Sequence, residues 1–376
     1  MHGPEISNRL VDEGERVMRL CNACRYCEGY CAVFPALERR LTFGREDLEY
    51  LANLCHNCGE CYYACQYAPP QEFQLNFPRT LAELRAATYA KYARPGALRG
   101  LFQRNGLTLA VASLAAIAGT LAAIGLDSGA ALLQPHPVAK GSFHALVGHD
   151  VMVGVFVTAA LLAAAALGAG GLAFWRASGR SPQAPCDAPS LALGLWDALR
   201  LRYLDGAGEG CSYPDEQSSG ARRWFHHLTF YGFALCFAST SVAALYHYGL
   251  GWHAPYPVLS LPVSLGVVGG IGLVIGPVGL IALKARRDSA LVDPGQTGMD
   301  VAFLALLLLV GVSGLALLGL RETPAMGVAL AAHLGLVLAL FVTAPYGKMV
   351  HAVYRIAALV RFAVEERKVP RLGSEG

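Results

Sequence analysis

The chain has 376 residues, of which 54% are hydrophobic and only 15% charged, and its formal net charge at pH 7 is +3. Soluble domains carry about 25% charged residues; here charge is dense before Arg104 and after Lys348 and sparse between them. This pattern excludes a disordered chain, a collagen and a coiled coil, and it predicts a soluble head joined to a membrane domain. So small a net charge also argues against nucleic acid as a partner.

The N-terminal segment bears on the compartment of the head. Residues 1–20 are polar and charged and lack the apolar core of a secretory signal peptide. We therefore expect the head to stay in the cytoplasm. Thiols are kept reduced there, so closely spaced cysteines indicate a metal site rather than disulfides.

Eight of the eleven cysteines form two runs of the pattern C-x2-C-x2-C-x3-C, and adding 34 to each position of the first run gives the second. Thiolates at this spacing bind [4Fe–4S] clusters, and in two-cluster ferredoxins the fourth cysteine of each run binds the other run's cluster. We therefore predict two clusters with crossed ligands. The first uses Cys21, Cys24, Cys27 and Cys65, and the second uses Cys55, Cys58, Cys61 and Cys31.

Structural zinc is the alternative for the same eight thiols, because zinc also takes four cysteines per site. The proline that usually follows the fourth cysteine of such runs is absent, since Ala32 and Gln66 stand there. Two intact four-cysteine runs nevertheless favour iron–sulfur clusters. The other cysteines, Cys186, Cys211 and Cys236, are predicted to be packing or inert thiols.

Helices account for the rest of the chain. Apolar residues spaced among charges predict helices at 37–54 and 74–92, the second broken at Pro78. Six apolar segments follow, each about as long as a bilayer core requires. They are 107–126, 151–175, 228–250, 258–283, 301–320 and 325–346. The predicted fold is mainly α: a two-cluster ferredoxin-like helical head at 1–95, then a six-helix transmembrane domain at 96–376.

The fourth apolar segment contains Pro262 and Pro277, and its Gly272 and Gly276 form a small-residue face suited to close helix contact. Lysine and arginine are concentrated in loop 176–226, in the next loop on that side and in the C-terminal tail, whereas the opposite loops hold few. By the positive-inside rule, both termini are cytoplasmic. We predict a multi-pass protein of a bacterial-type cytoplasmic membrane.

Histidines in and near the apolar segments are the candidate sites of the membrane domain. An ionisable residue at membrane depth indicates function, and imidazole is a usual axial ligand of haem. His333 and His351 are 18 residues apart, which is five turns on one helix face, and His226 and His247 are 21 apart on another helix.

Two stacked b-type haem sites would follow from these spacings. His226 or His227 would meet His351 near the cytoplasmic side, and His247 would meet His333 near the outer side. His149 competes with His247 for the outer site. Histidines near helix ends also occur simply as headgroup-zone residues, so only the deep His333 is favoured as a haem ligand or quinone contact.

Five stretches together resemble one family of membrane proteins, the tricarballylate- or citrate-utilisation protein B family. They are RLCNACRYCEGYCAVFPA from Arg19, LANLCHNCGECYYACQYAPP from Leu51, RRWFHHLTFYGFALCFAST from Arg222, GWHAPYPVLSLP from Gly251 and APYGKMVHAVYR from Ala344. The resemblance covers nearly the whole chain. The stretches from Arg222 and Ala344 are the more specific, because the cysteine runs occur in other ferredoxin-type subunits too.

The resemblance implies an electron-transfer role beside a partner flavoprotein. The partner would be an FAD-dependent dehydrogenase that oxidises tricarballylate to cis-aconitate. This chain would reoxidise that flavin and pass electrons through two [4Fe–4S] clusters and one or two b-type haems to membrane quinone. It has no dinucleotide-binding fingerprint of its own, since its glycine-rich stretch at 266–279 is inside an apolar segment.

Two other functions remain open on the sequence. A transporter or redox sensor with an iron–sulfur head predicts charged residues deep in the helices, and the apolar segments contain almost none. A zinc-held membrane scaffold predicts a colourless protein, whereas clusters and haem give a brown-red one.

Overall fold

The computed structural model describes residues 6–135, 142–178, 185–204, 208, 210–212 and 214–368. Its α-helices are α1 (Asn8–Cys24), α2 (Val33–Leu37), α3 (Arg45–Leu54), α4 (Glu60–Tyr63), α5 (Phe77–Tyr92), α6 (Asn105–Ser128), α7 (His149–Ser178), α8 (Ala188–Leu199), α9 (Ala221–Leu250), α10 (Leu261–Arg286), α11 (Pro294–Leu320), α12 (Met326–Thr343) and α13 (Val350–Lys368). Short 3-10 turns occupy Gly96–Phe102, Gly129–Leu133, Ser142–Ala145, Ser289–Leu291 and Ala344–Tyr346. Strands β1 (Cys211–Ser212) and β2 (Ser218–Ser219) pair antiparallel.

Six of these helices, α6, α7, α9, α10, α11 and α12, are long and apolar enough to cross a membrane. The prediction of a mainly α-helical protein with six spanning helices is therefore confirmed. The uncertain fourth segment is one helix, α10, which accommodates Pro277 in its interior and has Pro262 in its first turn, where a missing N–H costs little.

Helices α9 and α10 pack with their backbones in close contact. A Cβ atom on Gly276 would lie 2.6 Å from the backbone nitrogen of Thr229, and one on Gly232 would lie 2.9 Å from the carbonyl oxygen of Gly269. The small-residue face predicted from Gly272 and Gly276 is thus the contact face for α9. It fixes the position of the helix that carries four of the candidate site residues discussed below.

Helices predicted around the cysteine runs differ in their bounds. The predicted helix at 37–54 is wrong in its first half, because α2 ends at Leu37 and α3 begins only at Arg45. The predicted break at Pro78 is also wrong. Pro78 is in the first turn of α5, and the side chain of Asn76 caps that helix by accepting from the backbone N–H of Arg79 at 3.1 Å.

The C-terminal helix α13 packs in the head. Its Tyr354, Leu359 and Phe362 share one buried core with residues of α3 and α5 such as Tyr50 and Tyr89. The turn before α13 holds Pro345 and Gly347, which end α12 because proline lacks the N–H that a continuing helix needs. The division of the chain near residue 95 stays a prediction.

That turn corrects one inference from spacing. His333 is on α12 and His351 on α13, so the two histidines do not share five turns of a single helix face. His226 and His247, by contrast, are both on α9, as predicted.

A buried ion pair ties α13 to the head. The guanidinium of Arg40 contacts the carboxylate of Glu365 at 2.6 Å, and both side chains are almost fully buried. The hydroxyl of Tyr50 donates to the same carboxylate at 3.1 Å, and Asp47 contacts Arg40 from the other side at 2.7 Å. A paired and hydrogen-bonded charge of this kind is costly to break on one side only.

The head lies against one end of the helix bundle. The amides of Asn57 and Asn76 donate to the carbonyl oxygens of Leu291 and Ala290 in the connection between α10 and α11. The carboxylate of Glu60 accepts from Ser212 in the connection between α7 and α9. These two connections and α13 are therefore on the head side, and the ends of α6, α9 and α11 are at the distal end of the bundle.

Candidate metal centres

The first predicted cysteine set meets in one cavity of the head. Cys21 and Cys24 are at the end of α1, Cys27 follows the left-handed turn at Arg25, and Cys65 follows α4. All four line a cavity of about 240 Å³, together with aromatic residues and with Cys61 of the second set. The structure thus brings together the four thiols that were predicted to share one cluster.

The second predicted set meets beside it. Cys31, which belongs to the first run, has the thiols of Cys58 and Cys55 as neighbours, and Cys61 has those of Cys58, Cys55 and Cys31, followed by Cys27 of the first set. Gly59 makes this loop possible. Its φ is +92°, a conformation that side chains disfavour, and a Cβ there would lie 2.5 Å from the carbonyl oxygen of Ser212.

Crowding of these thiols raises their pKa values. Burial raises the pKa of Cys27 to about 12, with neighbouring Cys65 and Cys24 adding to the shift. Burial, then Cys58 and Cys55, likewise hold the pKa of Cys31 well above its ordinary value. Several thiolates at this separation need a cation to ionise together, and a bound metal supplies that charge.

Backbone amides approach the fourth cysteine of each run in the same way. The N–H of Tyr67 donates to the sulfur of Cys65 at 3.4 Å. The N–H of Val33, 34 residues earlier, is a donor to the sulfur of Cys31. The repeat seen in the sequence is therefore also a repeat of hydrogen bonds to sulfur, which is a feature that tunes iron–sulfur clusters.

Three arginines hold the loop of the second set. Arg355 on α13 donates to the carbonyl oxygens of Leu54 and Cys55 at 3.1 and 2.6 Å, and Arg85 on α5 donates to Cys55 at 2.8 Å. Arg222 on α9 donates to the carbonyl oxygens of the next two residues, 56 and 57, at 2.9 and 2.8 Å. Thus α9, a candidate spanning helix, and α13, which follows the last spanning helix, both hold this loop in place.

Two histidines lie one helical turn from these arginines. His226 is four residues after Arg222 on α9, and His351 is four residues before Arg355 on α13. His226 and His351 are charge neighbours of each other, so the predicted pair on the head side is brought together. Burial, then the cations Arg355 and Lys348, hold the pKa of His351 well below its ordinary value.

The free nitrogens of this pair suit a ligand. The Nδ1 atom of His351 is 3.1 Å from the hydroxyl of Tyr89; when it donates there, Nε2 keeps its lone pair. The Nδ1 atom of His226 is buried and has no hydrogen-bond partner in the described part of the chain. His227, the other predicted candidate, turns away and stacks on Tyr231 at a centroid distance of 5.6 Å.

The described hydrogen-bond neighbour of His333 is a serine of the adjacent helix. Its Nδ1 atom is 2.9 Å from the hydroxyl of Ser313 on α11, and its ring packs against Gly314, where a Cβ atom would lie 3.1 Å from Cε1. The ring contacts of His247 in the described structure are with His144, His149, Tyr248 and His253. The predicted pairing of His247 with His333 across a haem stays a prediction.

Sequence reasoning missed several residues of the head-side site. His56 is half-buried near Arg355, Arg222 and His226, and its burial, then the charges of the two arginines, lower its pKa well below the ordinary value. The sequence signal that could have identified His56 is its position inside the second cysteine run, directly after Cys55. Cys211, predicted to be a packing thiol, is buried and hydrogen-bonded to Cys58. Nothing in the sequence connects those two cysteines, which β1 brings together.

The fold and the cysteine geometry define a multi-pass membrane protein with a ferredoxin-type head. Residues 14–91 match the family model of the citrate utilization protein B Fer4-like domain, and residues 102–371 match that of citrate utilization protein B. The chain belongs to the citrate utilization protein B family. Citrate utilization protein B of Escherichia coli is 49% identical over 366 residues, 97% of this chain and 95% of that protein. No solved structure matches the chain significantly.

Proposed function

We propose that this protein is a membrane electron-transfer subunit that reoxidises a partner flavoprotein dehydrogenase and delivers the electrons to membrane quinone. Its two cysteine sets would hold [4Fe–4S] clusters with crossed ligands, and its head-side histidines would hold a b-type haem. When bound, these groups supply a series of one-electron carriers. The chain itself binds them, orients them and joins the head to the bilayer.

The observation that carries this proposal is the pair of buried arginines at the second cysteine set. Arg85 and Arg355 share the carbonyl oxygen of Cys55, and neither forms an ion pair with a described residue. Two like charges buried together are costly without an anion. A cluster held by four thiolates is such an anion, and Cys55 is one of the thiols that would hold it.

The same arginines connect the head to the proposed haem ligands. Arg222 and Arg355 hold the cysteine loop, and the half-buried His226 and His351 each lie one helical turn away on the same helix as one of these arginines. Haem also carries propionates, for which the nearby cations Lys348 and Arg85 are suitable partners. Tyr89 would orient His351 by accepting from Nδ1, as partners of ligating histidines usually do.

The quinone site would use the deep histidine of α12. His333 and Ser313 form a hydrogen-bonding pair between two apolar helices, and the ring of His333 packs against Gly314. An imidazole at this depth can donate to a quinone oxygen, which a headgroup-zone histidine cannot reach. This role replaces the outer haem that the histidine spacing suggested.

The partner is proposed from the family. The Escherichia coli relative carries citrate utilisation in its name. Together with the sequence resemblance, this supports an FAD-dependent dehydrogenase of a tricarboxylate such as tricarballylate. The head would meet that flavoprotein in the cytoplasm of a bacterial-type cell, with both termini on the same side.

Metal and haem analysis of the anaerobically purified full chain tests the proposal. We expect about eight cluster irons per chain, a reduced-minus-oxidised haem band and no stoichiometric zinc at the cysteines. Reduced partner flavoprotein should reduce the haem, and a short-chain quinone should reoxidise it. A colourless protein that holds zinc on its thiols would refute the proposal in favour of a scaffold.

A further inference from the structure

Four histidines gather at the distal end of the bundle, away from the cysteine sets. His144 is in the 3-10 turn before α7, and His149 is the first residue of α7. His247 is in the last turn of α9, and His253 follows that helix. Two helices and two connections thus meet at one cluster of imidazoles.

The nitrogens of the cluster are within metal-binding reach. Ligand atoms of His144, His149 and His247 all lie within 4.8 Å of one another. The Nδ1 atoms of His247 and His253 are 3.1 Å apart, and the Nε2 atom of His149 is 3.2 Å from the hydroxyl of Tyr248. The rings of His144 and His149 pack edge-on with their centroids 4.7 Å apart.

Two nitrogens of the cluster lack hydrogen bonds. The Nδ1 atoms of His144 and His149 are buried and have no partner in the described part of the chain. Neutral imidazoles with free lone pairs are the form that binds a metal, and leaving them unpaired away from water is costly.

The geometry distinguishes a small ion from a haem. The rings of His149 and His247 are stacked with their centroids 3.6 Å apart and their planes 21° from parallel. No macrocycle fits between rings at that separation. A single ion bound at the edges of the rings needs no such gap.

We propose that His144, His149 and His247 form a binding site for a divalent transition-metal ion, with His253 as the fourth ligand. Zinc suits the site, because it accepts four imidazole nitrogens in a tetrahedral arrangement at about 2.0–2.1 Å. The bound ion would tie the start of α7 to the end of α9. The inference is independent of the proposed electron-transfer function, since these histidines are at the far end of the bundle from the head.

The test is a zinc titration of the full chain, purified anaerobically in detergent without a polyhistidine tag and with its iron content intact. We expect one tight site per chain and an X-ray absorption spectrum with imidazole nitrogen in the zinc coordination shell. His247→Gln should weaken zinc binding at least tenfold. His227→Gln, at the other end of the same helix, should leave it unchanged.

A second measurement covers a variant that fails to fold. Zinc should raise the unfolding temperature of the native chain and of His227→Gln but not of the triple variant His144→Gln/His149→Gln/His247→Gln. Unchanged zinc affinity in the triple variant would overturn the proposal. So would a zinc spectrum dominated by sulfur, or loss of haem from His247→Gln with zinc binding retained.

Discussion

The guanidinium of Arg355 donates a hydrogen bond of 2.6 Å to the carbonyl oxygen of Cys55, although the two residues are 300 positions apart. Arg355 is on the last helix of the chain, and Cys55 is the first cysteine of the second run. Burial lowers the pKa of Arg355 to about 9, with neighbouring Arg85 contributing. The hydrogen bond that joins the C-terminal helix to the head therefore also places a positive charge beside Cys55, a predicted cluster ligand.

Arg355→Gln should make the midpoint potential of the second cluster more negative. A positive charge favours the reduced cluster, which carries one more electron, and each 1.4 kcal/mol of lost stabilisation is about 60 mV for a one-electron couple. A potentiometric titration followed by paramagnetic resonance measures the shift. Arg355→Lys keeps the charge and should shift the potential less, and Arg79→Gln on the exposed face of α5 should not shift it. Equal potentials in all variants would contradict the charge argument.

Cys31→Ser should damage the cluster assigned to Cys55, Cys58 and Cys61 and spare the one beside it in sequence. The reason is that Cys31 lies among the cysteines of the second run. Paramagnetic resonance of the reduced protein should lose one of two signals. Cys186→Ser, at an exposed thiol outside both sets, is the matched control. Selective loss of the signal that Cys21→Ser also removes would mean that ligation is not crossed.

The sequence predicts the features that depend on local pattern. Six apolar stretches of bilayer length give the six helices, and the cysteine repeat reappears as a repeat of amide-to-sulfur bonds at Cys31 and Cys65. Each of these is decided by residues close together in the chain. Hydrophobic length and thiol spacing need no knowledge of the tertiary fold.

Features that depend on distant contacts are not predictable in this way. An argument from histidine spacing assumes that α12 and α13 are one continuous helix. Pro345 and Gly347 end α12 instead, and the chain turns toward the head. The ring contact of His247 with His149 depends on which helices neighbour each other. The choice of His226 over His227 depends on the rotation of α9, which the close contact with α10 sets.

Glu365→Ala should destabilise the head markedly. The substitution leaves Arg40 buried with one carboxylate partner instead of two and removes the acceptor of the Tyr50 hydroxyl. Breaking one side of a buried pair costs about 3–5 kcal/mol. Loss of visible cluster absorbance on heating measures the effect. Glu13→Ala, which breaks a solvent-exposed pair with Arg16, should cost less than about 1 kcal/mol. Equal melting of the two variants would show that α13 does not stabilise the head.

His351→Ala and His226→Ala should each abolish the haem band of the membrane domain while the cluster signals remain. Both imidazoles are half-buried, and His226 is among the groups that lower the pKa of His351. His227→Ala is the control, because that ring stacks on Tyr231 and turns away from the pair. Optical difference spectra with haem quantification decide the matter. If both variants kept their full haem content and His333→Ala lost its haem instead, the haem ligand would be on α12 and not at His226 and His351.

Reporter fusions should place both termini in the cytoplasm. The head contacts the connections after α7 and α10 and packs with α13, so these parts share one side of the membrane whichever side it is. Their excess of lysine and arginine assigns that side to the cytoplasm. Fusions after Asp288 and Lys368 should report as internal, and fusions after Asp127 and Pro255 as external. The internal and external fusions serve as controls for each other, because a given reporter enzyme should be active in only one of the two pairs. An external reading at Lys368 beside an internal one at Asp288 would mean that one of α11 and α12 does not span the membrane.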